Sequence, residues 1–120
     1  MAHDNRTAQA EQQLPLKPTV YLILFSLVSE PCHGYGIKKQ VEELSQGKVK
    51  LDPGTLYRWM ARLLDDGWLE DCDSRPQADQ DDERRRYYQL TALGRRIVEL
   101  ESNRLAYLVE AARNYGLVRR

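Results

Sequence analysis

Leu51-Asp52-Pro53-Gly54-Thr55-Leu56-Tyr57-Arg58-Trp59-Met60-Ala61-Arg62-Leu63-Leu64-Asp65-Asp66-Gly67 carries the clearest punctuation in the chain. Asp52 is placed to accept hydrogen bonds from the free amides of a first helical turn. Pro53 has no amide proton to lose and suits the first helical position. Gly67 closes the segment, so the pattern predicts a helix over residues 53–66. Leu56, Met60, Leu63 and Leu64 form its apolar stripe. At about 100° per residue, Thr55, Arg58, Ala61, Arg62 and Asp65 point the other way, and Tyr57 and Trp59 flank the boundary on opposite sides.

Upstream, Ile37, Val41 and Leu44 fall at the spacing of one buried stripe and predict a helix over residues 35–46, with Gly47 as its cap. His33-Gly34-Tyr35-Gly36 separates it from an earlier helix over residues 18–29, which Pro18 opens and Pro31 stops. That first helix is apolar almost all round, so it must be buried on more than one side, and one of those sides is a candidate contact with a second subunit. Residues 14–18 read as an extended lead-in. Residues 1–13 lack periodicity and read as a loose tail.

Downstream, residues 68–73 and 85–90 carry aromatic and apolar residues at strand length, joined by a polar loop over residues 74–83. They read as a hairpin. The last helix starts at Thr91 and extends to about Asn114, roughly 36 Å at about 1.5 Å per residue. Leu93, Ile97, Leu100, Tyr107, Leu108, Ala111 and Tyr115 form one face of it, and Val98, Leu105, Val109 and Ala112 form an adjoining one. Two apolar faces call for two partners, the helix's own domain and another subunit.

The whole chain has 120 residues, with Lys+Arg and Asp+Glu balanced at 18 each. Net charge therefore does not announce a nucleic-acid partner, and any basic surface must come from uneven placement. No apolar run approaches the ~20 residues that span a bilayer, and no signal peptide opens the chain, which reads as cytoplasmic. Cys32 and Cys72 have no zinc-type spacing, and Cys32-His33 offers two adjacent ligands that cannot complete a tetrahedral site. No nucleophile elbow, phosphate-cradling loop or carboxylate pair supports catalysis. Neither a metal nor a cofactor is expected.

The order is helix, helix, short turn, capped helix, hairpin, long helix. The fold class is thus mainly α (α+β): a winged helix-turn-helix over residues 14–90 with a two-stranded wing, then a dimerisation helix over residues 91–120. In such folds the second helix of the pair enters the major groove. Thr55, Arg58 and Arg62 face outward there, and arginine bonds a guanine edge or a phosphate. Lys48 and Lys50 lie in the preceding turn as phosphate clamps or solvated lysines. Arg84, Arg85 and Arg86 sit at the wing base and suit backbone or minor-groove contact, or else neutralise Asp79, Asp81, Asp82 and Glu83 beside them. A winged-helix protein–protein module that does not bind DNA is the competing reading, supported by the neutral charge and the acidic wing.

Four segments carry a resemblance: His33-Gly34-Tyr35-Gly36-Ile37, Leu51-Asp52-Pro53-Gly54-Thr55-Leu56-Tyr57, Gly67-Trp68-Leu69-Glu70, and Arg86-Tyr87-Tyr88-Gln89-Leu90-Thr91-Ala92-Leu93-Gly94. Their order and spacing resemble the PadR family of transcriptional regulators, in its short form. The resemblance implies a homodimer that binds an inverted-repeat operator in double-stranded DNA, usually as a repressor. It adds Tyr57 and Lys38 or Lys39 to the DNA contacts. It places dimerisation on the first and last helices, with Tyr21, Leu24, Phe25, Leu100, Leu105, Leu108 and Ala112 as candidates. Some members release DNA when a phenolic or drug-like molecule binds, so a small-molecule effector is a candidate partner. Small members that hold flat drugs do so between tryptophans of the last helix. Here Trp59 and Trp68 belong to the winged domain, which leaves Tyr107 and Tyr115 to line such a cavity.

Overall fold

The capping pattern at Asp52 is realised as read. In the computed structural model, which describes residues 3–73 and 85–119, the Asp52 carboxylate accepts the Thr55 amide at 2.9 Å. Pro53 follows, and helix α4 (Pro53–Asp65) buries Leu56, Met60 and Leu63. Gly67 ends it at φ 79°, in the left-handed region open to glycine, and the Trp68 amide returns to the Leu63 carbonyl at 2.9 Å. The remaining elements are α1 (His3–Gln12), α2 (Pro18–Phe25), β1 (Cys32–His33), α3 (Gly34–Leu44), β2 (Leu69–Cys72), β3 (Tyr87–Leu90) and α5 (Ala92–Asn114).

The two expected strands of the wing, β2 and β3, pair antiparallel, and β1 adds to the free edge of β3, giving a three-stranded sheet in the order β1-β3-β2. Cys32 and His33, just before α3, pair with Tyr88 and Tyr87. Two residues are too few to show alternation, so this strand exists only because β3 offers its outer edge. His33 then caps α3: its Nδ1 accepts the Gly36 amide at 3.1 Å. The chain passes from sheet to helix without a connecting loop.

Three expectations are corrected. Residues 3–12 are not a loose tail but form α1, which packs on α5 and buries Ala10 in the core. Alanine, glutamine and glutamate are good helix formers, and one small buried residue seats the helix without an apolar stripe for the sequence to display. The first helix is shorter than residues 18–29. After Phe25 the amides of Leu27 and Val28 reach back three residues, to Leu24 and Phe25, tightening the chain into turns. Leu24, assigned to a dimer contact, has 0 % of its surface exposed and belongs to the core of its own chain, beside Ile23, Ile37 and Ile97.

Two contacts fix α5 on the domain. Gly94 lies in its first turn, where an added Cβ would collide with the backbone carbonyl of Trp68. That carbonyl also accepts the Thr91 amide at 3.1 Å, and the Thr91 hydroxyl both donates to the Gly67 carbonyl and accepts the Gly94 amide. About two turns further on, Glu101 is 1 % exposed. One of its oxygens accepts the Leu16 amide at 2.8 Å, and Arg104 donates to both oxygens. The Arg104 hydrogen bonds, helped by the Leu16 amide, hold the Glu101 carboxyl below its usual value despite burial.

Gly94→Ala is expected to lower the unfolding free energy by about 1–3 kcal/mol, because a backbone carbonyl cannot rotate away, even though alanine is the better helix former; urea titration measures it. Glu101 gives a pH signature. Its folded-state pKa is depressed, so its contribution is complete above the unfolded value of about 4.3 and is lost as pH falls through the folded value. Glu101→Gln should flatten the acid limb of the stability curve below about pH 4, read by thermal melts across pH; an unchanged limb excludes this source.

Candidate nucleic-acid interface

Helix α4 and the sheet converge on an open groove of about 560 Å³ lined by His33, Gly34, Tyr35, Tyr57, Arg85, Arg86 and Tyr88. Tyr57 projects from the first turns of α4 and is 51 % exposed. Its hydroxyl leans so close to Gly34 that a Cβ there would stand 2.5 Å from the oxygen. Glycine at position 34 leaves the room that this placement of the Tyr57 hydroxyl uses. Tyr35, on the next residue, is 63 % exposed, and the Arg85 guanidinium lies 5.9 Å from its ring centre.

His33 orders this end of the groove. It stacks on Tyr35, meets Tyr87 edge-on, and holds Nε2 at 3.2 Å from Arg85 Nη1. Because Nδ1 accepts the Gly36 amide, the neutral ring carries its proton on Nε2. Both atoms of the Arg85 contact are then donors, so packing rather than a hydrogen bond sets that approach.

Arg86 closes the other end. Its Nε and Nη2 donate to one oxygen of Asp71 at 3.1 and 2.6 Å, and its guanidinium lies 5.4 Å from the Tyr88 ring centre. The Asp71 hydrogen bond raises the Arg86 pKa further above its usual value, so its charge is permanent. Burial pushes the Tyr88 phenol up, against the opposing pull of Arg86. The groove thus presents positive charge, aromatic walls and phenol hydroxyls, a surface suited to phosphate and sugar.

The assigned residues do not all share this groove. Arg58 stands on the outward face of α4 and donates to the Thr55 hydroxyl at 3.2 Å. That hydroxyl in turn donates to Asp52 at 2.9 Å, so Thr55 is half-buried in the cap rather than presented outward. The Thr55 amide and hydroxyl together hold the Asp52 carboxyl below its usual value. Arg62 falls on the opposite flank from Tyr57, 3.8 Å from Asp66, beside Trp59 and Gln13. Lys39 lines a neighbouring groove with Tyr35 and Arg85, Lys38 is half-buried on α3, and Lys50 is exposed in the turn before α4. Arg84 and the acidic loop over residues 74–83 lie outside the described residues.

His33, Tyr35, Asp71 and Tyr88 escaped the sequence reading of the site. Their signal was the His33-Gly34-Tyr35-Gly36 motif, but only the strand register, with Asp71 opposite Tyr88, brings them together. The same register separates the thiols. Cys32 pairs with Tyr88 and Cys72 with Tyr87, adjacent residues that face opposite sides of β3. Two strand spacings of about 4.8 Å also exceed the ~7 Å that a disulfide spans between Cα atoms. An intramolecular disulfide is therefore excluded.

The apolar surface of the chain lies elsewhere. The stripe that buries Ile97, Val98 and Glu101 continues along α5 through Leu105, Leu108 and Ala112 after the domain has ended. Leu108 is exposed and Leu105 and Ala112 half-exposed, while Leu100 packs partly against the core. Phe25 is exposed beside Tyr21, which meets it edge-on and hydrogen-bonds Ser102 of α5 at 2.8 Å. Tyr107 and Tyr115 are largely exposed and line none of the grooves named here. Among the described residues, no helix is long and apolar enough to cross a membrane, and no cluster of three metal-ligating side chains occurs.

The sequence model described as the Transcriptional regulator PadR-like family matches residues 23–100. The chain belongs to this family. Its members are transcription regulators, not enzymes, and the matched stretch contains every element of the groove. Solved structures agree. A PadR family transcription regulator from hypervirulent Clostridium difficile is 26% identical over 82% of this chain and 98% of that one, with a TM-score of 0.67. A PadR-like transcription factor from Bacteroides fragilis is 22% identical over 92% of this chain and 98% of its own, at a TM-score of 0.61. Bacillus subtilis PadR, solved in complex with operator DNA, is 19% identical over 69% of this chain and 45% of its own, at 0.56. At such identities the last two show the shared fold alone. No curated protein matches the chain.

Proposed function

We propose that this PadR-like regulator binds an inverted-repeat operator in double-stranded DNA as a homodimer, acting in the cytoplasm as a repressor. The observation that carries the reading is the meeting of Tyr57 with Arg85 and Arg86 in one groove, next to the outward Arg58 of a capped helix. In the Bacillus subtilis PadR structure a protein of this fold is bound to operator DNA. Here α4 enters the major groove with Arg58 toward the base edges, while Tyr35, Tyr57, Arg85 and Arg86 follow the adjoining backbone. Lys39 and Lys50 extend the phosphate track on either side. Arg62, turned toward Asp66, touches only the edge of it. The thin positive track on a neutral chain argues for modest non-specific affinity, since counterion release scales with the phosphates engaged.

The dimer rests on the apolar stripe of Leu105, Leu108 and Ala112 on α5 and on the exposed Phe25, with its neighbour Tyr21, on α2, apolar surface in need of cover. A two-fold pairing of this surface sets two α4 helices apart for two half-sites.

Selection of bound sequences from a random DNA pool tests the reading directly, and is expected to return two inverted half-sites. On the selected duplex, affinity should fall linearly in a plot of log K against log salt. Arg58→Ala should cost about 1–3 kcal/mol of operator affinity with the fold intact. Absence of binding at low salt favours the protein–protein module instead. Sedimentation should show a dimer at micromolar concentration, and Leu108→Glu should give a monomer with a folded winged domain; a wild-type monomer rejects the pairing.

A further inference from the structure

Asp71, Arg86 and Tyr88 share one face of the wing sheet. Asp71 stands directly opposite Tyr88, and Arg86 precedes Tyr88 by two residues, which makes Asp71 and Arg86 a diagonal cross-strand pair. Arg86 and Tyr88 line the groove that holds Tyr57, and Asp71 lines an adjoining one that shares Arg86. The side chains of the pair are 61% and 62% exposed, so water screens it and it holds loosely. Nor does the sheet need it: the backbone ladder fixes the register, and Glu70 and Gln89 bond to one another at 2.8 Å on the other face.

We propose that Asp71 is a built-in competitor of DNA that attenuates binding: its carboxylate occupies Arg86 in the free protein as a phosphate would, and DNA must take its place. The inference rests on the DNA-binding reading above. A carboxylate and a phosphate oxygen compete for the same Nε and Nη2 donors. On a random duplex, where no phosphate is held against the wing, Arg86 stays with Asp71 and adds nothing to affinity. On the operator, α4 seats in the major groove and fixes the neighbouring phosphates, one of which displaces Asp71. The pair therefore attenuates binding to either duplex: it keeps Arg86 from random DNA and must be broken in full on the operator. The left-over carboxylate, exposed at the wing, rehydrates.

The test compares wild type, Asp71→Asn, Arg86→Ala and the double variant on a random-sequence duplex and on the selected operator. Asparagine keeps the shape and one acceptor but gives up the charge. Asp71→Asn should bind the random duplex about two- to fivefold more tightly, with the salt slope steeper by about 0.9 for the phosphate gained. Operator affinity should rise by at least as much, because the Asp71–Arg86 pair is broken there in full, so the ratio of operator to random binding does not fall. In the Arg86→Ala background the Asp71→Asn effect should vanish. An Asp71→Asn effect that persists without Arg86 is general repulsion and overturns the proposal, as does unchanged random binding. Asp71→Ser, checked by thermal melting, serves in the same cycle if the asparagine variant is unstable. Failure of wild type to bind any duplex at low salt refutes the DNA-binding reading itself, a result distinct from a failed cycle.

Discussion

The backbone carbonyl of Trp68 is where three parts of the protein are joined. It lies just beyond the glycine that ends α4, at the threshold of β2. It accepts the amide of Thr91, which ends the wing, and it rests against Gly94, where α5 begins. No side chain intervenes at the tightest point. Reading helix, wing and long helix are consequently related by backbone contact, the least deformable kind available. Thr91 reinforces it from the other direction, by bonding the Gly67 carbonyl while capping α5. The groove between Tyr57 and the arginines keeps its width because its two walls grow from this one junction.

Much of this was legible in the sequence, for identifiable reasons. Asp52-Pro53 and Gly67 mark α4 almost to the residue, because caps act locally and depend on nothing distant. Thr91 does the same for α5. What escaped depends on partners remote in the chain. Strand β1 is made by the edge of β3, more than fifty residues away, and α1 by packing on α5, with Ala10 buried. Helical periodicity placed Arg62 on the exposed side of α4, where it lies, but could not show that its flank adjoins the lead-in to α2 and Trp59 and not the groove of Tyr57. Leu24 was misread because an all-apolar helix does not declare which side its own domain covers. The winged arrangement followed from the order of elements, whereas the composition of the groove required the strand register.

Charge is handled in the same spirit. A chain with balanced charge cannot rely on a broad positive field to find a partner. Its cations are instead placed among groups that order them. Arg86 has Asp71 and Tyr88, Arg85 has Tyr35 and His33, and Arg58 is drawn into the cap built by Asp52 and Thr55. Each guanidinium thus has a neighbour on the protein that a ligand must share or displace.

The stripe along α5 has a consequence for how such a protein can change. Leu105, Leu108 and Ala112 lie in register with Ile97, Val98 and Glu101, so the covered and uncovered lengths of the helix share one angular phase. One residue inserted between them turns the outer stripe by about 100° and advances it only about 1.5 Å. Four residues nearly restore the phase and advance it about 6 Å. The reach of the outer surface from the reading head is therefore adjustable only in steps near a helical turn. Single-residue length changes in this helix are barred by geometry, while substitutions along its outer half are not.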